Sequence, residues 1–199
     1  MLHYISKKIA CLISDKDDEY PIEIYTYGIE LMISSLIGTI LIIFSGIIFH
    51  LLIESLIFTF CLSGIRFFSG GYHAKTYLRC NIVYLISYAL VMITYMLYFK
   101  YLINYNISIS LVLIIVSTLI LILFAPIENE NKKIDDSQKN KFKWISIIIL
   151  LIECFGSLII LGLFDFHQVL VVFPTILIVD ISIIVEVIMK NHKFNTTTE

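Results

Sequence analysis

Six long apolar runs dominate this sequence and leave few ways for the chain to fold. Their edges fall at Leu31–Phe49, Leu51–Phe67, Ile82–Phe99, Leu102–Ala125, Trp144–Phe164 and Val169–Met189. Each approaches or exceeds the roughly 18 residues that carry a helix across the hydrocarbon core of a bilayer. In lipid the backbone must satisfy its own hydrogen bonds, so the runs are expected to be helices; no barrel-like alternation is present. Composition agrees, with 59% of the 199 residues hydrophobic and only 15% charged, against roughly 45–50% and about 25% in soluble domains. The expected fold class is all-α: a polytopic membrane protein with about six transmembrane helices, forming a single membrane-embedded domain over 1–199. The second run is the weakest. It is short and carries Glu54, so it is expected to be tilted or only partly inserted.

Ahead of these runs, Leu2, Ile5, Ile9 and Leu12 recur at helical spacing, with Ser6, Lys7 and Lys8 between them. Residues 1–14 therefore read as an amphipathic interfacial helix lying on the membrane surface. They do not read as a cleavable signal peptide, having no continuous apolar core and no small-residue cleavage site. The polar stretch 14–20 breaks that helix and Pro21 can open the next one. Residues 21–30, with Glu23 and Glu30, are placed at the interface as the entry into the first span. With the N-terminus inside, every one of the 14 Lys and Arg residues except Lys100 falls on the cytoplasmic side. That is the asymmetry of the positive-inside rule, and it favours an even number of crossings with both termini cytoplasmic. The Lys-rich segment 126–143 (Lys132, Lys133, Lys139, Lys141, Lys143) is expected to be cytoplasmic. It is either a solvated loop that sets topology or a docking surface for an acidic peptide.

A net charge of −2 argues against nucleic acid as a partner, because phosphate binding needs a concentrated basic face. Cys11, Cys61, Cys80 and Cys154 are scattered and form no CxxC, so no disulfide framework and no zinc site is readable. No cofactor and no metal is expected. Glu54, Glu153 and Asp180 stand inside apolar runs, where a carboxylate is costly and faces protein or water. They support a rival reading, a small transporter or channel with these carboxylates along its path, although no internal repeat of the transporter kind is visible. For Asp180 an interhelix bond, a site role such as pairing a loop cation or orienting His73, and a protonated resting state are all open.

One segment stands apart from the apolar background. Residues 63–81 lie between the second and third runs and gather Arg66, Ser69, Gly70, Gly71, His73, Lys75, Arg79 and Cys80. A cysteine with a nearby histidine is the minimum for thiolate catalysis: the base takes the thiol proton, and the imidazolium then protonates a departing amine. The candidate catalytic residues are thus His73 and Cys80, and the surrounding cations Arg66, Lys75 and Arg79 would favour the thiolate. One regular helix over 73–80 would separate them by about 10.5 Å along its axis, too far for direct proton transfer. A turn or break is needed, and Gly70-Gly71 supplies backbone freedom for it.

Arg66, Gly70-Gly71, His73-Ala74 and Cys80, written R-x3-GG-x-HA-x5-C between two apolar spans, resemble the active-site loop of the accessory gene regulator protein B (AgrB) family. The likeness extends to the basic amphipathic N-terminus, the six-span pattern and the Ala125-Pro126 exit into a Lys-rich segment. The resemblance implies a membrane cysteine endopeptidase of a bacterial cell membrane, with its active site cytoplasmic. Cys80 would be the nucleophile and His73 the base and acid, with Arg66, Gly70 and Gly71 supporting the loop or the substrate. The implied partners are an AgrD-like precursor peptide and membrane lipids, and the resemblance is compatible with a homodimer. The enzyme would remove the precursor's C-terminal tail and pass the core through an acyl-enzyme thioester into a (thio)lactone ring, an autoinducing quorum-sensing peptide.

Overall fold

A computed structural model describes residues 2–13, 21–72, 76–102, 106–127 and 136–197. Every regular element among them is helical: α1 (Leu2–Ile13), α2 (Ile22–Ile48), α3 (Leu52–Ser69), α4 (Tyr77–Leu102), α5 (Asn106–Phe124), α6 (Asp136–Phe164) and α7 (Val172–Thr197), with a 3-10 turn His167–Val171 ahead of α7. Five stretches are long and apolar enough to cross a membrane: Ile22–Ile48, Leu52–Ser69, Tyr77–Leu97, Gln138–Phe164 and His167–Asn191. The apolar part of α5, Ser108–Phe124, is shorter, about 25 Å at 1.5 Å per residue, near the lower bound for a span. The chain is an all-helical, polytopic membrane protein.

Several edges differ from the sequence reading. Pro21 has φ −65° and stands at the N-cap of α2, where a proline costs no helical bond. Helix then propagates without a break from residue 22, so residues 22–30 are continuous with the first span that they were expected to enter. Ser63–Ser69 complete α3 and residues 77–81 open α4, which shrinks the polar connection to Gly70–Thr76. Lys139, Lys141 and Lys143 fall within the start of α6, while Lys132 and Lys133 lie outside the described residues. Glu54 is buried in α3, so the carboxylate that made this span doubtful faces protein.

The amphipathic α1 packs on α2, but with a different face from the one its large apolar residues suggest. Ser6 and Ala10 are fully buried, whereas Tyr4, Ile5, Leu12 and Ile13 are exposed. Small side chains let two helices approach closely, which leaves the bulky apolar face for the membrane surface. The same economy runs along α2, whose buried residues Thr26, Glu30, Ser34, Gly38, Ile42 and Gly46 recur every fourth position and so form one stripe. A Cβ added at Gly38 would sit 2.9 Å from Asn81 Oδ1 and 3.0 Å from Tyr84 Cδ1. That glycine sets how near α4 comes to α2.

At the centre stands α7, packed against α3, α4, α5 and α6. The end of the 3-10 turn, Leu170 and Val171, and the leading α7 residues Val172, Phe173 and Ile176 are buried in the core with Phe58, Ile65, Val91 and Leu150. Pro174 falls in the first turn of α7, where its missing N–H removes no helical bond.

Candidate active site

The site is built where α3 ends and α4 begins. Gly70 takes φ 74° and Gly71 φ 141°, conformations that only glycine adopts without strain. Both are also hemmed in: a Cβ at Gly70 would lie 2.5 Å from the Ile127 carbonyl oxygen, and one at Gly71 would lie 2.8 Å from Ser182 Oγ. Neighbouring segments fasten this stretch on both sides. The Ile127 N–H donates to the Ser69 carbonyl at 2.9 Å, and the Tyr72 N–H donates to the Ser182 carbonyl of α7 at 3.2 Å. From α3, Arg66 Nη2 donates to the Tyr72 carbonyl. Arg66, Gly70 and Gly71 thus meet in one clamp that holds the backbone immediately before His73.

His73, Ala74 and Lys75 lie outside the described residues. At Thr76 the side-chain hydroxyl accepts from the Arg79 N–H at 3.3 Å, as a helix N-cap does. Thr76 lies outside α4, which starts at Tyr77, so the helix that carries Cys80 does not reach back through residue 76. The Cys80 N–H bonds the Thr76 carbonyl at 3.0 Å. Its side chain leaves the end of the first turn of α4, where the helix dipole favours negative charge.

Cys80 opens into a cavity of about 210 Å³ between three helices. Leu31, Ser34, Ser35 and Thr39 line it from α2; Thr59, Leu62, Ser63 and Arg66 from α3; Tyr77, Asn81 and Tyr84 from α4 with the cysteine. The lining is largely apolar surface interrupted by Ser, Thr and Tyr side chains, and the Tyr84 hydroxyl lies near those of Thr39 and Thr59. The Arg66 guanidinium is close enough to Cys80 and Tyr84 for charge to be felt between them. Of the other thiols, Cys61 and Cys154 are buried and Cys11 is exposed on α1; none lines this cavity.

The clamp and the cavity share Arg66, and a second cavity of about 200 Å³ opens on its other side, lined by Leu62, Tyr72, Ser182 and Val185 among others. A third concavity, a groove of about 310 Å³, runs between Phe124, Pro126, Ile127, Lys139, Val187 and Lys190. Ile127 lies against Gly70, so this groove adjoins the clamp.

None of the three carboxylates within the apolar runs, Glu54, Glu153 and Asp180, lines the Cys80 cavity. Asp180 Oδ2 accepts from Ser117 Oγ at 2.5 Å, joining α7 to α5, while Oδ1 has no hydrogen-bond partner among the described residues. Glu153 meets the Cys61 thiol. Among the described residues no three His, Cys, Asp or Glu side chains converge as a metal site would require.

The sequence reading did not single out Ser34, Gly38, Tyr77, Asn81 or Tyr84. Its missed signal was the stripe of small and polar residues at every fourth position of α2, which marks a helix face turned to protein instead of lipid.

Comparison with known proteins adds an independent line. An AgrB-like protein 2 of Clostridium perfringens (strain 13 / Type A) is 31% identical over 161 residues, 78% of this chain and 75% of that protein. An AgrB-like protein of Clostridium perfringens (strain SM101 / Type A) is 30% identical over 161 residues, with the same shares of 78% and 75%. No solved structure matches. The family model described as Accessory gene regulator B matches residues 1–190, and with it and these relatives the chain belongs to the AgrB family.

Proposed function

We propose that this protein is a membrane cysteine endopeptidase that cuts the C-terminal tail from an AgrD-like precursor peptide and closes the remaining core into a (thio)lactone ring. Family membership supports involvement in accessory gene regulator quorum-sensing peptide processing. The observation that carries the finer reading is the placement of Cys80. It is a partly exposed thiol at a helix N-terminus, lining a largely apolar cavity whose lining residues include several Ser and Thr and the Arg66 guanidinium. The other buried thiols of the bundle have no such surroundings.

In this reading the Cys80 thiolate attacks the peptide carbonyl at the core–tail junction. The carbon–nitrogen bond breaks, His73 as imidazolium gives its proton to the departing amine, and a thioester to Cys80 remains. His73 follows directly on Tyr72, whose carbonyl is held by Arg66 at the wall of the Cys80 cavity, which supports its assignment as the proton carrier. A thiol or hydroxyl of the core then attacks the thioester, its proton passes to His73, and Cys80 leaves as thiolate. With a core thiol, one thioester replaces another, so little free energy is lost. Holding both ends of the core together favours this ring closure over hydrolysis, and a partly dry site disfavours water as the nucleophile.

The groove with Lys139 and Lys190 supports a role for the basic segment in receiving an acidic tail, since it adjoins the clamp ahead of His73. The positive-inside asymmetry supports a site and termini on the cytoplasmic face.

Co-expression with a precursor peptide tests the reading by mass spectrometry. Wild type should release the tail and yield a cyclic core, while Cys80→Ser and His73→Ala should insert normally and leave the precursor intact. Tail release that survives Cys80→Ser overturns the peptidase reading, and linear core as the sole product removes its cyclisation half. The buried Asp180 Oδ1, without a hydrogen-bond partner among the described residues, is the observation that favours the transporter alternative, which requires solute flux that persists in Cys80→Ser.

A further inference from the structure

Glu30 is a carboxylate within an apolar helix and only 9% exposed. A charge so placed needs protein partners and marks a functional region by default. It has a partner for each oxygen. Oε1 lies 2.7 Å from His3 Nδ1 on α1, and Oε2 accepts from the Tyr77 hydroxyl at 2.7 Å. One carboxylate therefore joins α1, α2 and α4. Tyr77 is the first residue of α4, one turn ahead of Cys80, and lines the same cavity. Leu31 and Ser34, beside Glu30 and one turn further along α2, line it too. His3 belongs to the helix whose outward face carries Tyr4, Leu12 and Ile13, a face suited to the bilayer surface.

We propose that Glu30 is a positioning residue for this site. It fixes the Tyr77 phenol at the cavity mouth and ties it through His3 to α1, so that the seating of the amphipathic helix sets how a peptide is received beside Cys80. The inference rests on the reading of Cys80 as the nucleophile. Its physical basis is that a hydrogen bond to an ionised group at low dielectric is short, strong and directional. Take the carboxylate away and the phenol loses its orientation, while α1 loses its polar tie to the bundle. The effect falls on substrate capture, because Tyr77 borders the cavity without being the attacking group.

The test uses full-length protein in lipid nanodiscs with a synthetic precursor peptide, measuring kcat and KM for tail release. Glu30→Ala and Tyr77→Phe should each raise KM about ten- to a hundredfold, the span expected for one lost hydrogen bond to a charged group, with kcat held. The double variant should be no worse than the poorer single one, since both remove the same link. His3→Ala should move KM in the same direction by less. Glu30→Gln should raise KM by clearly less than Glu30→Ala, because its carbonyl still accepts from Tyr77 and its amide can donate to His3 Nδ1, while the charge that strengthens both bonds is gone. A wild-type KM in Tyr77→Phe, effects that multiply in the double variant, or Glu30→Gln no better than Glu30→Ala would each overturn the proposal. If Glu30→Ala does not insert, Tyr77→Phe and Glu30→Gln decide alone. Tail release by Cys80→Ser would instead refute the nucleophile reading, and that outcome is separate from any Glu30 result.

Discussion

Arg66 on α3 donates from Nη2 to the main-chain carbonyl of Tyr72, and through this bond a charged side chain at the edge of the Cys80 cavity holds the backbone that leads into residue 73. The guanidinium is directional and offers several donors from one plane, whereas a lysine ammonium is a point charge on a flexible stem. Arg66→Lys keeps the charge and is expected to lose the clamp. Tail release should fall about ten- to a hundredfold, the range for a charge-assisted bond of about 1.5–3 kcal/mol, with unchanged membrane insertion. Cleavage at the wild-type rate in Arg66→Lys would show that charge alone is required.

Gly70 and Gly71 are expected to respond differently to repair. At Gly71 the obstacle to a Cβ includes a side-chain atom, Ser182 Oγ at 2.8 Å, in addition to its φ of 141°. Gly71→Ala should destabilise the protein, and adding Ser182→Ala should recover part of the loss but leave the backbone strain of about 1–3 kcal/mol. At Gly70 the obstacle is the Ile127 backbone carbonyl at 2.5 Å, which no side-chain substitution removes. Gly70→Ala should therefore admit no single-residue suppressor at Ile127. Melting temperatures of the detergent-solubilised variants, read by tryptophan fluorescence from Trp144, check both expectations.

These glycines show which parts of the site sequence can reveal. A Gly-Gly pair ahead of a helix announces a turn, and the apolar runs announce the helices, because lipid permits so few backbone solutions. Which carbonyl or hydroxyl stands against each glycine was hidden: Ile127 and Ser182 are remote in sequence and come from the exit of α5 and the middle of α7. Arg66 could be chosen as a cation near Cys80, but its bond to Tyr72 depends on where α3 stops, and the second apolar run was read to end at Phe67, two residues before the helix does. Charged and polar side chains at helix ends look like loop when read one residue at a time. The hydrophobic pattern of α1 pointed to the membrane surface and said nothing of the face that packs on α2. Hydrophobic pattern finds the face that leaves water, and in a membrane protein that face can meet lipid while Ser6 and Ala10 meet protein.

The four thiols should separate by chemical access. Cys80 is partly exposed and Cys11 exposed, whereas Cys61 and Cys154 are buried. Iodoacetamide applied to membranes should therefore modify Cys11 and Cys80 and spare the other two, as read by peptide mass mapping. In Cys11→Ser protein, loss of tail release should track alkylation of Cys80 one for one. Inactivation that runs ahead of Cys80 modification would point to a different essential thiol.

Ser117 and Asp180 link α5 to α7 through a 2.5 Å hydrogen bond, and neither residue lines the Cys80 cavity. The bond is expected to serve packing. Asp180→Asn keeps an acceptor for the Ser117 hydroxyl and should insert and cleave as wild type does. Ser117→Ala removes the donor and leaves the carboxylate buried without it, at a cost of about 0.6–1.7 kcal/mol for an interhelical hydrogen bond in a membrane protein. It should lower thermal stability more than Asp180→Asn does, with kcat and KM for tail release unchanged in whatever fraction remains folded. Loss of cleavage in well-inserted Asp180→Asn would instead bring this carboxylate into the reaction, and α7, which already holds Tyr72 through Ser182, would be the element that transmits its effect.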